Sequence, residues 1–202
     1  MIIVGLTGSI AMGKTTVGAM FAQLGAPVFD ADAAVRDIYS GPTASAVEKL
    51  FPGVLREGQV DREQLSQRVL NDPGALKRLE EIVHPVVKAA RSQFIDSAIA
   101  AGRRLVIVDV PLLFETGAES EVDLVVVVSA PAEVQSARAL GREGMTETKL
   151  GAILGRQLSD EDKRRRAHFV IDTSGAFERT EAQVRQFIRA VASLEGRKRR
   201  HA

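Results

Sequence analysis

The segment GLTGSIAMGKTTV, residues 5–17, carries the residue types that most directly suggest chemistry. Residues 8–15 match the pattern G-x-x-x-x-G-K-[ST] and lie between an apolar run and a segment of helical period. Glycines in this context let the backbone wrap closely, so its N–H groups and the N-terminus of the next helix point at phosphate oxygens. The segment is therefore predicted to be a phosphate-binding loop.

Two side chains of this loop have predicted roles of their own. Lys14 is expected to bridge the terminal phosphates of a nucleoside triphosphate, and the Thr15 hydroxyl is expected to ligate Mg²⁺. The residues predicted to surround the ATP phosphates are Gly8, Ser9, Ala11, Met12, Gly13, Lys14, Thr15 and Thr16. The competing interpretation is a glycine-rich strand-to-helix turn with an incidental lysine, and the flanking strand and helix argue against it.

Carboxylates follow two of the apolar runs, at the sheet edge where ligands of open α/β sheets bind. Asp32 can orient and deprotonate an acceptor hydroxyl in line with the γ-phosphate. The alternative role, a helix N-cap, suits the neighbouring Asp30 better. Asp109 has the general form of an acid that holds Mg²⁺ directly or through water, although an ordinary strand-end aspartate looks the same. Either Asp109 or Asp32 is a candidate second Mg²⁺ ligand.

The elements that position these side chains follow from the hydrophobic pattern. Five short uninterrupted apolar runs predict buried parallel strands at residues 2–7, 26–30, 104–109, 123–129 and 168–172. Segments of helical period separate most of them. This alternation predicts an α/β fold with a doubly wound, parallel five-stranded sheet of the kind found in P-loop kinases.

Two helical regions interrupt the predicted core. Residues 32–102 carry helix signals and no strand signal, so we predict an inserted helical subdomain. Residues 138–166 are also helical, and they are strongly basic. The nucleotide-binding core then comprises residues 1–31, 103–137 and 167–195, and the basic tail 196–202 is predicted to be disordered.

Composition narrows the classes of function. The formal net charge of +1 and the aromatic content of 4% argue against nucleic-acid binding, which uses basic surfaces and stacking platforms. The absence of cysteine excludes disulfides, thiolate metal sites and cysteine nucleophiles. No signal peptide and no membrane span is recognised, so a cytoplasmic protein without a membrane partner is expected, as a monomer or small homo-oligomer.

Five motifs together resemble one family closely. They are GSIAMGKTT, DAD at Asp30–Asp32, His84–Pro85, DVPLLFE at Asp109–Glu115 and VIDTSG at Val170–Gly175. Their types and order, over residues 2–190, resemble the dephospho-CoA kinase family. The resemblance implies transfer of the ATP γ-phosphate to the ribose 3′-hydroxyl of dephospho-coenzyme A, with Mg²⁺. It also implies that a nucleotide-binding core carries an acceptor subdomain at residues 32–102 and a lid at residues 138–166, which is called the lid segment below.

The resemblance also implies residue roles. Asp32 corresponds to the base facing the 3′-hydroxyl, and Arg142 to a lid arginine that reaches the transferring phosphoryl group. The residues expected to contact the acceptor are His84, Asp109, Leu112, Leu113 and Glu115. Without the resemblance, His84 before a proline reads as a local hydrogen-bonding residue, Arg142 as a solvated helix-end charge and the two leucines as core.

The loop departs from the family pattern at two positions. Ala11 stands where the family usually has glycine, and a positive φ there would strain the backbone. Met12 stands where the family usually has serine, and its side chain is expected to lie over the phosphates. A third departure, Thr173 in place of asparagine, is expected to weaken a hydrogen bond near the adenine.

Two alternatives remain open. A nucleoside or nucleotide kinase of similar architecture would share the phosphate loop, although the long insertion and DVPLLFE argue against it. A nucleotide-hydrolysing switch would also share the loop, but the chain has no N-K-x-D guanine reader.

Overall fold

The computed structural model describes residues 1–69, 72–192 and 194. Within them the strands are β1 Ile2–Thr7, β2 Val28–Asp30, β3 Leu55–Arg56, β4 Gln59–Val60, β5 Leu105–Asp109, β6 Leu124–Ser129 and β7 Phe169–Asp172. The helices are α1 Lys14–Gln23, α2 Ala31–Ile38, α3 Pro42–Leu50, α4 Arg62–Val69, α5 Pro73–Ala100, α6 Ala132–Leu140, α7 Glu147–Leu154, α8 Asp160–Arg166 and α9 Phe177–Ala192. The predicted tail 196–202 lies outside the described residues.

The main sheet has five strands in the order β2-β5-β1-β6-β7. β1 pairs in parallel with both β5 and β6, and β6 pairs in parallel with β7. All six residues of β1 are buried, which explains why its sequence is continuously apolar and does not alternate. The predicted five-stranded parallel sheet is therefore confirmed, with strand bounds that differ from the predicted ones by two residues or fewer.

The chain divides into two compact units, of which the first comprises Met1–Phe29 and the chain from Ala98 onward. Its core lies on the sheet and includes the apolar faces of α1 and α9. Phe21 of α1 and Phe187 of α9 meet edge to face, with ring centroids 5.8 Å apart. This packing holds α1 against the sheet, and α1 begins where the phosphate loop ends.

The second unit, Asp30–Ser97, contains α2, α3, α4 and most of α5 around a core of its own. The prediction that this region lacks strands is wrong, because β3 and β4 form an antiparallel hairpin. Its turn residues, Glu57 and Gly58, have φ of 50° and 81°. Two positive φ values match the tight turns that suit a hairpin's twist. Strands of two residues are too short to produce a detectable hydrophobic period.

Candidate active site

The phosphate loop connects β1 to α1 in a conformation that requires glycine at two positions. A Cβ on Gly8 would lie 2.7 Å from the Val128 carbonyl oxygen, and Gly13 has a φ of 89°. No side chain caps α1 and its first turn has no acidic residue. The first-turn amides and the positive end of the helix dipole therefore suit an anion, as the motif predicts.

Ala11 adopts the left-handed conformation that the family pattern assigns to glycine. Its φ is 62°, which costs roughly 1–2 kcal/mol for a residue with a Cβ. The methyl group is nevertheless buried, in a cluster with Ala139 of α6 and Leu150 of α7. The Ala11 side chain, whose Cβ strains the loop, thus also packs the loop against α6 and α7.

Glycine substitutions at Ala11 and Glu57, the two non-glycine residues with positive φ among the described residues, distinguish the cost of backbone strain from the contribution of side-chain packing. We expect Glu57→Gly to raise the free energy of unfolding by roughly 0.5–1 kcal/mol, since Glu57 is exposed and its strain is relieved without loss of packing. Ala11→Gly gains similar relief but loses a buried methyl group, worth about 0.8 kcal/mol, so its stability is expected to stay almost unchanged. Urea unfolding measures both. An equal gain in the two variants would show that the Ala11 methyl contributes nothing.

The position of Met12 corrects the sequence prediction. Its side chain does not lie over the phosphates but is buried in the core, with 1% of its surface exposed, and its Sδ accepts a hydrogen bond from the Ala130 N–H at 3.1 Å. Its carbonyl accepts a hydrogen bond of 2.7 Å from the Thr173 hydroxyl. Met12 and Thr173 therefore fasten the loop to the ends of β6 and β7.

Lys14 and Asp109 are brought together, although 95 positions separate them in the chain. Their ammonium and carboxylate groups form an ion pair in which the side chains are 16% and 8% exposed. Asp109 ends β5, next to β1, so the two strands carry the pair to one edge of the sheet. Thr15, one residue further into α1, is exposed.

The oxygen ligands available at this edge fit a magnesium ion that is bound partly by phosphates. Among the described residues there is no group of three or more histidine, aspartate or glutamate side chains that could hold a metal by themselves. Mg²⁺ in kinase sites uses one or two protein oxygens together with substrate phosphates and water. The Thr15 hydroxyl in the first turn of α1 and the Asp109 carboxylate beside Lys14 are oxygens of this kind, and their role as Mg²⁺ ligands stays a prediction.

A cavity of about 380 Å³ opens beside the loop in the first unit. Its walls include Gly13, Thr16, Arg138, Arg142, Thr173 and Phe177. Arg138 donates hydrogen bonds to the Thr173 hydroxyl at 3.2 Å and to its carbonyl at 2.6 Å. The predicted effect of Thr173 on a hydrogen bond near the adenine stays a prediction. Both arginines are exposed. Arg138 was not among the predicted site residues, because α6 ends at Leu140 and no helical spacing links Arg138 to Arg142.

Glu115 is part of a buried ion pair at the base of the lid segment. Its carboxylate lies 2.9 Å from the ammonium group of Lys163, which is fully buried, and accepts a hydrogen bond from the Leu158 N–H at 2.8 Å. Burial by itself would raise the pKa of Glu115, but the hydrogen bonds from Lys163 and Leu158 outweigh it and hold the pKa below its usual value. The predicted contact between Glu115 and the acceptor stays a prediction.

Breaking this pair is expected to destabilise the first unit. Glu115→Gln leaves the Lys163 charge buried without a counterion, so we expect a loss of about 3–5 kcal/mol in the free energy of unfolding. The double variant Glu115→Gln, Lys163→Met carries no buried charge and should recover most of that loss. Chemical denaturation of both variants checks this. A single variant as stable as the wild type would contradict the expected role of the pair.

The same pair predicts a pH dependence. Because the pKa of Glu115 is lowered in the folded state, its stabilising contribution is fully present above the unfolded value, about 4.5. The contribution is lost as pH falls through the lower folded pKa. The difference in free energy of unfolding between the wild type and the double variant should therefore be constant at neutral pH. In acid the wild type should lose stability relative to the double variant, which urea unfolding at a series of pH values measures.

The remaining predicted residues differ in exposure. Leu113 is fully buried beneath Gly5, so it is a core residue, whereas Leu112 is 40% exposed. In the second unit, the Asp30 carboxylate caps α2 by accepting from the Ala33 N–H at 2.9 Å. Asp32, in the first turn of α2, is exposed, and so is His84 within α5. Asp30 thus has the capping role, and the Asp32 carboxylate is not needed for it.

No helix among the described residues is long and apolar enough to cross a membrane.

Comparisons with known proteins agree with one another. A sequence model described as dephospho-CoA kinase matches residues 2–179. A protein of Rhodopseudomonas palustris (strain BisB18) named dephospho-CoA kinase is 52% identical over 196 residues, covering 97% of this chain and 98% of its own. A Brucella melitensis protein of the same name is 52% identical over 188 residues, covering 93% and 94%.

Two solved structures have folds similar to that of this chain. A crystal structure from Thermus thermophilus has a TM-score of 0.80 with 34% identity, covering 96% of this chain and 98% of its own. A dephospho-CoA kinase from Campylobacter jejuni has a TM-score of 0.66 with 24% identity over 94% and 96% of the two chains, and this likeness concerns the fold alone.

Proposed function

The chain belongs to the dephospho-CoA kinase family, and we propose that it transfers the γ-phosphoryl group of ATP to the ribose 3′-hydroxyl of dephospho-coenzyme A. The family membership rests on sequence matches over nearly the whole chain, and it makes the protein a kinase. The assignment of particular residues to steps of the reaction is our proposal, and it rests on the geometry of the loop and of the residues around it.

The donor site of the proposal is the phosphate loop. The observation that supports it most strongly is the uncapped start of α1 with Lys14 directly at its first position. The N–H groups of the loop and of the first helical turn would donate hydrogen bonds to the phosphate oxygens, and the Lys14 ammonium would lie against the terminal phosphates. The neighbouring cavity, with Arg138 and the 53% exposed ring of Phe177, has room and an aromatic face for the base.

Mg²⁺ would be held by the Thr15 hydroxyl, with Asp109 or Asp32 as a further ligand, and it would neutralise charge on the transferring phosphate. Lys14 would then have two anionic partners, the Asp109 carboxylate and the phosphates. Its ammonium pairs with Asp109 in this structure, and it would exchange part of this contact for phosphate oxygens when ATP binds.

The acceptor step of the proposal uses Asp32 as a general base. Its carboxylate takes the proton of the 3′-hydroxyl while the oxygen forms a bond to the γ-phosphorus, and the bond from that phosphorus to the bridging oxygen of ADP breaks. Arg142 would neutralise charge on the transferring phosphoryl oxygens. His84, Leu112 and Glu115 remain proposed contacts of the acceptor, whereas Leu113 is fully buried against Gly5 of β1 and is not proposed as one.

The test is to incubate the protein with ATP, Mg²⁺ and dephospho-coenzyme A and to identify the product by mass and by the position of its phosphate. We expect coenzyme A with the new phosphate on the 3′-oxygen. Adenosine, shikimate and AMP serve as competing acceptors, and a reaction without acceptor measures hydrolysis. Preferred phosphorylation of another acceptor would replace the proposal with a different small-molecule kinase, and acceptor-independent hydrolysis would favour a nucleotide switch.

A further inference from the structure

Two glutamine side chains hold one residue of the phosphate loop, Ile10, from opposite sides. The Ile10 N–H donates to Oε1 of Gln157 at 3.1 Å, and the Ile10 carbonyl accepts from Nε2 of Gln135 at 2.8 Å. Gln135 lies on α6 and Gln157 in the lid segment, between α7 and α8. From this clamp we propose that Gln157 is a positioning residue, which sets the direction of the loop amides that bind the phosphates of ATP.

The clamp acts on two successive peptide planes. A trans peptide is planar, so its carbonyl and N–H point in opposite directions. The bond from Gln157 to the Ile10 N–H therefore orients the Ser9 carbonyl, which accepts the Met12 N–H at 3.2 Å. The bond from Gln135 to the Ile10 carbonyl orients the Ala11 N–H in the same way. Together the two glutamines define the path of the loop immediately before Gly13 and α1.

Strain at the neighbouring residue makes such a clamp necessary. Ala11 has a φ of 62°, a conformation that a residue with a Cβ leaves when nothing holds it. The Ile10 peptide is held by Gln157 and Gln135, and the Ala11 methyl is held by Ala139 and Leu150. The loop is thus kept in a strained, preorganised form, and preorganised donors bind an anion without the free-energy cost of ordering them.

The backbone next to Gln157 is held in place by the ion pair of Glu115 and Lys163. The Leu158 N–H, one residue after Gln157, donates to Glu115, and Glu115 pairs with Lys163 of α8. The Ser159 hydroxyl caps α8 by accepting from the Asp162 N–H at 3.0 Å. The backbone on the C-terminal side of Gln157 is therefore fastened to the first unit, which gives the glutamine a fixed base from which to reach the loop.

The proposal rests on ATP being the donor, and its test measures nucleotide binding without any acceptor. Gln157→Leu and Gln157→Ala both remove the acceptor of the Ile10 hydrogen bond. We expect each to weaken binding of Mg·ATP about 3- to 30-fold, the effect of losing one hydrogen bond to a partly buried amide. Binding of adenosine, which has no phosphates, should change less than twofold. The matched control is Gln186→Leu, an exposed glutamine of α9 that should leave both affinities unchanged.

Titration calorimetry gives the Kd for Mg·ATP, ligand-detected NMR gives the Kd for adenosine, and thermal unfolding verifies that each variant is folded. Unchanged Mg·ATP affinity in both folded variants would overturn the proposal. An equal loss for ATP and adenosine would also overturn it, because Gln157 would then support the whole nucleotide cavity and not the loop amides. If dephospho-coenzyme A proved not to be the acceptor, the proposed function would fail while this comparison of nucleotides would stand.

Discussion

Replacing Asp32 with asparagine is expected to lower kcat by roughly 10²–10⁴-fold and to leave ATP binding almost unchanged. Asparagine keeps the size of the side chain and loses its capacity to take a proton, so the acceptor hydroxyl would have to react without a base. The structure removes one competing explanation, since Asp30 and not Asp32 accepts the capping bond from the Ala33 N–H. A fall in activity would therefore not be attributable to loss of the cap of α2.

Steady-state kinetics with dephospho-coenzyme A, together with the Kd for Mg·ATP, measure this effect. Asp37→Asn is the matched control, because Asp37 is an exposed aspartate on the same helix, and it should keep wild-type kcat. Wild-type turnover in Asp32→Asn would refute the base assignment. A large rise in the Kd for Mg·ATP with little change in kcat would instead assign Asp32 to Mg²⁺ binding, the other role left open by the sequence.

Replacing Lys14 with alanine is expected to weaken ATP binding and turnover together, with a loss of roughly 10²–10³-fold in kcat/KM. The ammonium group is predicted to contact the terminal phosphates, and it also pairs with the buried carboxylate of Asp109. Without Lys14, the negative charge of Asp109 would lie beside the phosphates with less compensation. The loss should therefore exceed that of a single solvated charge, which contributes about 1 kcal/mol or less.

The Lys14 variant is measured by calorimetry for Mg·ATP and by the same kinetics. Lys49→Ala, which removes an exposed lysine of α3, is the control for general charge effects and should behave as wild type. Tight ATP binding with full activity in Lys14→Ala would refute the assignment of the phosphate loop. Asp32 and Lys14 are thus distinguishable, since one variant is expected to lose kcat alone and the other to lose binding as well.

The strand pattern and the phosphate loop were readable from sequence because both depend on local residue order. Val125–Val128 in β6 are continuously buried, and a strand covered on both faces needs no alternation. The loop motif needs glycine where a Cβ would meet the Val128 carbonyl, and Gly8 satisfies this. The capping role of Asp30 was likewise predicted from the sequence, as the alternative to a chemical role for a carboxylate at this strand end.

Other features were missed because their signals are too short or lie far apart in the chain. The hairpin of β3 and β4 contains two residues per strand, which is less than one detectable period. Met12 looks like a loop side chain in the sequence, and only the packing of β6 shows that it points into the core. Leu112 and Leu113 are the same residue type, so the sequence does not show which one is buried. Leu113 is buried because it packs against Gly5, and Leu112 is exposed.

The sequence by itself determined the family, the parallel sheet and the position of the predicted phosphate loop, because these are encoded by motifs and by burial patterns that run along the chain. Tertiary structure alone decided which distant groups meet. Lys14 pairs with Asp109, Glu115 pairs with Lys163, and Ile10 is held by Gln135 and Gln157. Each contact joins residues that lie 48 to 147 positions apart in the chain. These contacts depend on strand order and helix packing, which cannot be predicted from a local pattern of residues in the sequence.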